Sequence, residues 1–299
     1  MSAAVMHVNS STRASTSPTM RIARFVADEL GVPLIHDPAT ARQHAAKKFD
    51  VLFVKYGMLK FSNHRDEALQ IHEQARYVVN LENDYTFVPD KRFHPADETW
   101  STVEGRAHLV NWNVLTRLPP EMWRYARPLT EPTRRGLIYY GAHREDRILS
   151  FRRYFTDPPY PLTISTYRGQ KKFQAYGKNV QVVSAFRDPD AQNQWQATLY
   201  IEDETSHDLY CSPATRFYEC VMAGLAQLID REAAGTLEKA GVPGVDAFVV
   251  ESKADVRRML PKWREIRDQQ LELWYTDYAT QLRDQLWEAA RHLGFRRGS

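Results

Sequence analysis

Cysteine is scarce in this chain. It has two, Cys211 and Cys220, with no Cys-x-x-Cys pair. That excludes a disulfide framework and a thiolate zinc cage as organising devices. The ten histidines are scattered and form no His-Glu-x-x-His run, so the sequence carries no motif for a tightly held metal. No apolar stretch reaches the roughly 18 residues of a membrane helix. Met1 to Thr19 is rich in Ser and Thr and lacks the apolar centre of a secretory signal. A cytoplasmic protein with no membrane partner is expected. Internal repeats at solenoid periods are absent. So is a strong charge of either sign: the net value is +3, which permits nucleic-acid binding without requiring it.

What is present suffices for two ordinary cores. The chain has 299 residues, 43% of them hydrophobic and 26% charged, a balance that argues against disorder. Strand and helix patterns alternate, which predicts parallel α/β architecture. Val5 to Val8 reads as a first strand, followed by a polar loop. A helix then starts at Ser17-Pro18 and runs to Gly31, a natural C-cap. Pro38 to Lys47 reads as an exposed helix, Asp50 to Lys55 as a buried strand and Asp66 to Gln74 as a helix. Tyr77 to Leu81 reads as a strand, with a further one at Leu109 to Asn113.

Prolines between Pro119 and Pro132 resist both helix and sheet, so the interdomain linker is placed there. A second alternating unit begins at Gly136. Its strands are Leu137 to Tyr140, Leu162 to Ser165, Val180 to Val183, Thr198 to Ile201, Ala226 to Ile229 and a short run at Phe248 to Val250. Its helices are Glu145 to Tyr154, Pro213 to Ala223 and Lys253 to Leu260. Trp263 to Leu293 reads as one long helix with Leu271, Trp274, Tyr278, Leu282 and Trp287 on its buried face. The expected domains are 1–130, 131–262 and a helical tail, 263–299. Two nucleotide-fold-like halves, a Pro-rich hinge and a long terminal helix fit the GT-B arrangement, in which substrates bind between two Rossmann-like domains.

Three constellations can carry chemistry. In Tyr139-Tyr140-Gly141-Ala142-His143-Arg144-Glu145-Asp146-Arg147 a strand meets a helix through a small-residue turn, with two arginines in the first helical turn. A helix N-terminus favours anions, and arginine there opposes the dipole, so a compensating anion such as a diphosphate fits. Pairing of Arg144 and Arg147 with Glu145, Asp146 or a nearby loop is the alternative. In Ser212 to Gly224, Arg216 and Glu219 are three apart and share a helix face. The arginine can reach a phosphate and the carboxylate can accept ribose hydroxyls. An ordinary surface ion pair, about 0.3 kcal/mol, is the alternative. Asp84 follows the strand Tyr77 to Leu81 at the edge that faces the crevice in open α/β sheets. It can serve as general base toward an acceptor hydroxyl, or as a turn-forming aspartate.

These segments resemble the bacteriophage DNA β-glucosyltransferase family, which modifies 5-hydroxymethylcytosine. The likeness lies in Ile138 to Arg147 and in the ordered pieces TLYIED, TRFYECVMAG and AQLID between Ala197 and Asp230. Val5 to Gly31 and Tyr77 to Asp84 match more loosely. The resemblance implies an α/β protein of GT-B type, with two Rossmann-like domains and a C-terminal helix packing back across the cleft. Residues 1–130 would form the acceptor and DNA side, and 131–262 the nucleotide-sugar side.

The resemblance further implies transfer of glucose or a related sugar from a UDP-sugar onto a hydroxymethylated pyrimidine in DNA, in one step with inversion. Asp84 would be the general base. Gly141, Arg144, Arg147 and Arg216 would lie at the diphosphate, Glu219 at the ribose, and Ala185 and Phe186 at the uracil. Mg2+ or Mn2+ can assist at the diphosphate without a tight metal site. The duplex would give up its base by flipping. Arg134, Arg135, Arg152, Arg168, Lys171 and Lys172 would grip its backbone, with Tyr154, Tyr160 and Tyr167 as stacking platforms or as half-buried strand residues. A monomer working in the cytoplasm of an infected host is implied. Thr19 departs from the pattern, standing where the family has a glutamate near the donor sugar. Rival readings are a GT-B transferase on a small-molecule, protein or glycan acceptor, a retaining transferase, and a binding module that has lost catalysis.

Overall fold

The computed structural model describes residues 1–7, 18–55, 65–82, 95–102, 107–116, 132–133, 136–166, 168–184, 194–202 and 213–297. The chain forms two compact units, one of residues 1–115 and 279–299, the other of residues 116–278. The expected tail is thus shared between them.

The first unit is a six-stranded sheet in the order β2-β1-β3-β4-β5-β6. Its strands are β1 (Ala3–Met6), β2 (Leu34–Ile35), β3 (Val51–Val54), β4 (Val78–Glu82), β5 (Glu98–Ser101) and β6 (His108–Leu109). Every pairing is parallel. Four-residue runs such as AAVM and VLFV are buried at every position, the mark of strands covered on both faces. Helix α1 (Pro18–Leu30) buries Met20, Ile22, Ala23, Val26 and Ala27 and stops at Gly31, whose φ of +64° suits a residue without a Cβ. Helix α2 (Pro38–His44) is held by a capping box between Asp37 and Thr40. Helix α3 (Arg65–Glu73) follows β3.

Strand β5 has no apolar run in Glu98-Thr-Trp-Ser to announce it. The strand expected at Leu109 to Asn113 is met only at Leu109, the end of β6. There the chain leaves β6 and enters a 3-10 turn, Trp112–Val114, whose first indole donates back to the carbonyl of Trp100 at 3.0 Å.

The second unit has the sheet order β12-β11-β10-β7-β8-β9. It comprises β7 (Leu137–Tyr140), β8 (Leu162–Thr166), β9 (Val180–Ser184), β10 (Ala197–Tyr200), β11 (Ala226–Asp230) and β12 (Val249–Val250). All pairings are parallel. The order is that of dinucleotide-binding folds: the chain winds outward from β7 to β9, then crosses to β10 on the other side of β7. The helices are α4 (Ile148–Phe155), α5 (Gln170–Gln174), α6 (Thr215–Met222), α7 (Arg231–Lys239), α8 (Lys253–Met259) and α9 (Trp263–Trp274).

The expected single long terminal helix is two. Helix α9 ends at Trp274, and α10 (Tyr278–Arg291) starts after a three-residue break. Trp274 donates its indole N–H to the Pro243 carbonyl at 2.7 Å, and the Tyr278 hydroxyl donates to the Trp274 carbonyl. These bonds anchor the break. Within α9, Gln270 exchanges two hydrogen bonds with the backbone of Gln227, at 2.8 and 2.7 Å. It satisfies a stretch of β11 that the short β12 leaves uncovered. Among the described residues no helix is long and apolar enough to cross a membrane.

Candidate functional site

In doubly wound sheets, ligands bind at the carboxyl ends of the strands where the winding reverses. In the second unit that point lies between β7 and β10, and Arg216 occupies it. Its Nη1 donates to the carbonyl of Tyr140 at the end of β7, at 3.0 Å. Its Nη2 donates to the carbonyl of Ile201 just after β10, at 2.9 Å, and to Glu202 Oε1 at 3.3 Å. The guanidinium therefore bridges the two strand ends from the first turn of α6. The side chain is 11% exposed, and its Nε is buried without a hydrogen-bond partner among the described residues. Burial alone would weaken this cation. Glu202 and the rings of Tyr139, Tyr140 and Tyr200 outweigh that and push its pKa well above the ordinary value, so the charge is permanent.

Gly141 makes the approach possible. A Cβ there would sit 3.0 Å from the Tyr139 hydroxyl and 3.1 Å from Arg216 Nη1. Glu219, one helical turn beyond Arg216, is buried and accepts the Tyr140 hydroxyl at 3.0 Å. Burial, Cys220 and Glu219 raise the Tyr140 pKa well above its usual value, which keeps it a donor. The Cys220 thiol beside it is pushed by burial to about 12, so it is no nucleophile. The surface ion pair weighed for Arg216 and Glu219 is not what forms: Arg216 pairs with Glu202, and both carboxylates are buried.

The other expected donor residues are placed unevenly. Arg144 forms a two-pronged pair with Asp146, at 3.1 and 2.7 Å, the local pairing left open above. Arg147 is buried and donates to the Tyr139 hydroxyl at 2.9 Å, so it supports the ring that lies under Arg216. Arg152, Arg168, Lys171 and Lys172 are exposed on α4, the turn after β8 and α5. Lys172 also pairs with Glu145 at 2.6 Å. Asp84, Ala185, Phe186, Arg134, Arg135 and Tyr167 lie outside the described residues.

Tyr154 and Tyr160 are buried and are not stacking platforms. The Tyr154 hydroxyl donates to buried Asp230 at 2.6 Å, and that of Tyr160 to the Tyr154 carbonyl at 2.9 Å. Ser150 and Arg153 complete the set around Asp230. Together they lock α4 to β11.

Polar residues outside the three constellations collect at the carboxyl edge of the first unit's sheet. There the winding reverses between β1 and β3. His7 and Lys55 follow those strands, Glu82 closes β4 and Ser101 closes β5, and all four are buried. For His7, Lys55 and Glu82 a signal was available, since they end or follow the buried strands VM, FV and NL; Ser101 had none. The His7 Nε2 lies 2.9 Å from Thr19 Oγ1, the position that departs from the family pattern.

Burial, with smaller contributions from Lys55 and His36, lowers the His7 pKa from 6.5 to about 4. In the unfolded chain this imidazole protonates near 6.5, whereas the folded one resists until about 4. Lowering the pH through that window therefore drains stability, by on the order of 3 kcal/mol in total. Denaturant titrations at several pH values should show this slope, and His7→Gln should flatten it. An unchanged slope in the variant would contradict the assignment.

No family model matches the chain, and no curated protein matches it in sequence. Solved structures do match in fold. The DNA-modifying enzyme β-glucosyltransferase, solved with and without its substrate uridine diphosphoglucose, superposes with a TM-score of 0.66 at 15% identity, over 98% of each chain. The T4 phage β-glucosyltransferase in complex with UDP and Mn2+ gives 0.65 at 14% identity, over 98% of this chain and 99% of that one. A glycosyltransferase involved in avilamycin A biosynthesis gives 0.55 at 12% identity, over 98% of this chain and 97% of that one. The fold is thus of GT-B type, with two parallel six-stranded sheets flanked by helices.

Proposed function

We propose that the protein is a UDP-sugar-dependent glycosyltransferase that glucosylates, or similarly glycosylates, the hydroxymethyl group of a modified pyrimidine in DNA. The observation that carries this reading is Arg216 bridging the ends of β7 and β10, with Glu219 buried one turn away. A permanent cation and a carboxylate at a winding reversal suit a nucleoside diphosphate: phosphate at the guanidinium, ribose hydroxyls at the carboxylate. Arg144 is the second cation for the diphosphate once it exchanges Asp146 for phosphate oxygens. Arg147 acts by holding Tyr139 in place. Ala185 and Phe186 are assigned to the uracil.

Asp84, two residues beyond β4, is assigned as the base that takes the proton from the acceptor hydroxyl. Attack on the anomeric carbon from the side opposite the diphosphate gives inversion. Arg216 and Arg144 stabilise the charge that grows on the departing UDP, the contribution that dominates such reactions. Mg2+ or Mn2+ would be held mainly by the diphosphate's own oxygens, with no tight protein site required, and would neutralise charge on the leaving group.

The DNA duplex must present its base flipped out, with Arg134, Arg135, Arg152, Arg168, Lys171 and Lys172 on the backbone. Lys171→Ala should then reduce the steepness of the log affinity against log salt plot by about 1, measured by fluorescence anisotropy with duplex DNA. An unchanged slope removes Lys171 from the interface.

The likeness to the avilamycin A biosynthesis transferase favours a second reading, the same donor chemistry on a small-molecule acceptor. Calorimetry with UDP tests the donor half on its own, and NMR of the anomeric linkage in the product tests inversion. UDP binding together with transfer only to small hydroxylated acceptors would select the second reading. Failure to bind UDP or UDP-sugars would overturn both.

A further inference from the structure

We infer that the first unit carries a zinc site, formed by Glu98, His108 and His292, that clamps the chain's C-terminal end to the β5–β6 edge of the sheet. One ligand atom from each of these residues can be chosen so that all three lie within 4.8 Å of one another. His292 Nε2 is 3.0 Å from Glu98 Oε2, and His108 Nε2 is 3.9 Å from the same oxygen. The two imidazoles stack at 4.8 Å, tilted by 27°, so their Nε2 atoms converge on one side. Ligand atoms around tetrahedral zinc stand about 3.3 Å apart. Side-chain adjustments of an ångström or so close the set.

The surroundings prepare the carboxylate. Trp100 is fully buried and donates its indole N–H to Glu98 Oε1 at 2.8 Å, which leaves Oε2 turned toward the two histidines. The same ring meets His108 edge-on at 5.9 Å. Outer contacts of this kind fix the orientation of metal ligands. Two imidazoles and one carboxylate suit zinc better than magnesium or calcium, which prefer all-oxygen sets. The His292 side chain is 43% exposed, so water can complete the coordination.

Glu98 opens β5, and His108 stands level with Trp100 on β6. None of the three residues belongs to the donor or acceptor set proposed above, so the site is structural. His292 follows α10, the helix that returns the chain to this unit, and Phe295 beyond it packs on Phe53 at 5.8 Å. No motif announces the site, because its ligands come from positions 98, 108 and 292.

The test uses the full-length chain without a polyhistidine tag and without nucleotide, titrated with ZnCl2 by calorimetry and followed by thermal melting. One zinc per chain is expected, with a rise in Tm. His108→Ala and His292→Gln should each weaken binding about tenfold or more and lose the rise in Tm. His292 stands at the exposed rim, so its variant keeps the test open if His108→Ala fails to fold. Absence of stoichiometric binding to the wild type, or equal binding by both variants, would overturn the site.

Discussion

Replacing Arg216 with lysine is expected to lower kcat/KM for the UDP-sugar by about 100- to 1000-fold, even though the charge is conserved. Nη1 and Nη2 of the guanidinium reach the carbonyls of Tyr140 and Ile201 and the carboxylate of Glu202 at once, at 3.0, 2.9 and 3.3 Å. A lysine is a point charge on a flexible stem and cannot span two strand ends. The cation would be displaced from where leaving-group charge develops, and buried acceptors would lose their donors. Arg216→Ala should fare worse, because Glu202 is left buried without its counter-ion, a loss that costs several kcal/mol in comparable pairs. The lysine variant is therefore the more informative. Its UDP affinity by calorimetry and its initial rates separate binding from chemistry, with circular dichroism as a check on folding. A fall in kcat/KM of less than about tenfold would reduce Arg216 to a strut between β7 and β10.

Asp84→Ala should abolish transfer, by about 100- to 10000-fold in kcat, while leaving UDP affinity unchanged. The two effects part because Asp84 follows β4 of the first unit, whereas the diphosphate residues belong to the second. Asp84→Asn should be equally inactive, since an amide cannot take the proton. Loss of UDP binding in the alanine variant would mean that Asp84 supports the fold or the donor. Retained transfer would place the base elsewhere, and buried Glu82, two residues earlier, would be the next residue to replace.

Much of the architecture was legible because buried parallel strands announce themselves. LIYY and VLFV contain no charged residue, and Gly31 ends the helix that precedes β2. Elements that rely on tertiary partners were not legible. Strand β5 carries Glu98 and Thr99 beside a single tryptophan and exists through pairing with β4 and β6. The break between α9 and α10 depends on Trp274 reaching Pro243, a contact 31 positions away in the chain.

In the candidate site, residue types and helical spacing brought out Arg216 and Glu219, while their real partners stayed hidden. Nothing local in the sequence says that Tyr140 will donate to Glu219, or that Glu202 will pair with Arg216. Those pairings arise from the crossing between β7 and β10. Arg144 and Arg147 look alike in sequence, yet one pairs with Asp146 at the surface and the other is buried on Tyr139. Helical position separates them: Arg147 caps α4, and Arg144 precedes its 3-10 turn.

Transfer onto DNA is tested most directly by mass spectrometry of nucleosides. Duplex DNA carrying hydroxymethylcytosine or hydroxymethyluracil is incubated with the protein and a panel of UDP-sugars, then digested. The expected result is the mass of one sugar added to one hydroxymethylated nucleoside, present with wild type and absent with Asp84→Ala. Unmodified nucleosides with every donor, from a protein that still binds UDP, would contradict it.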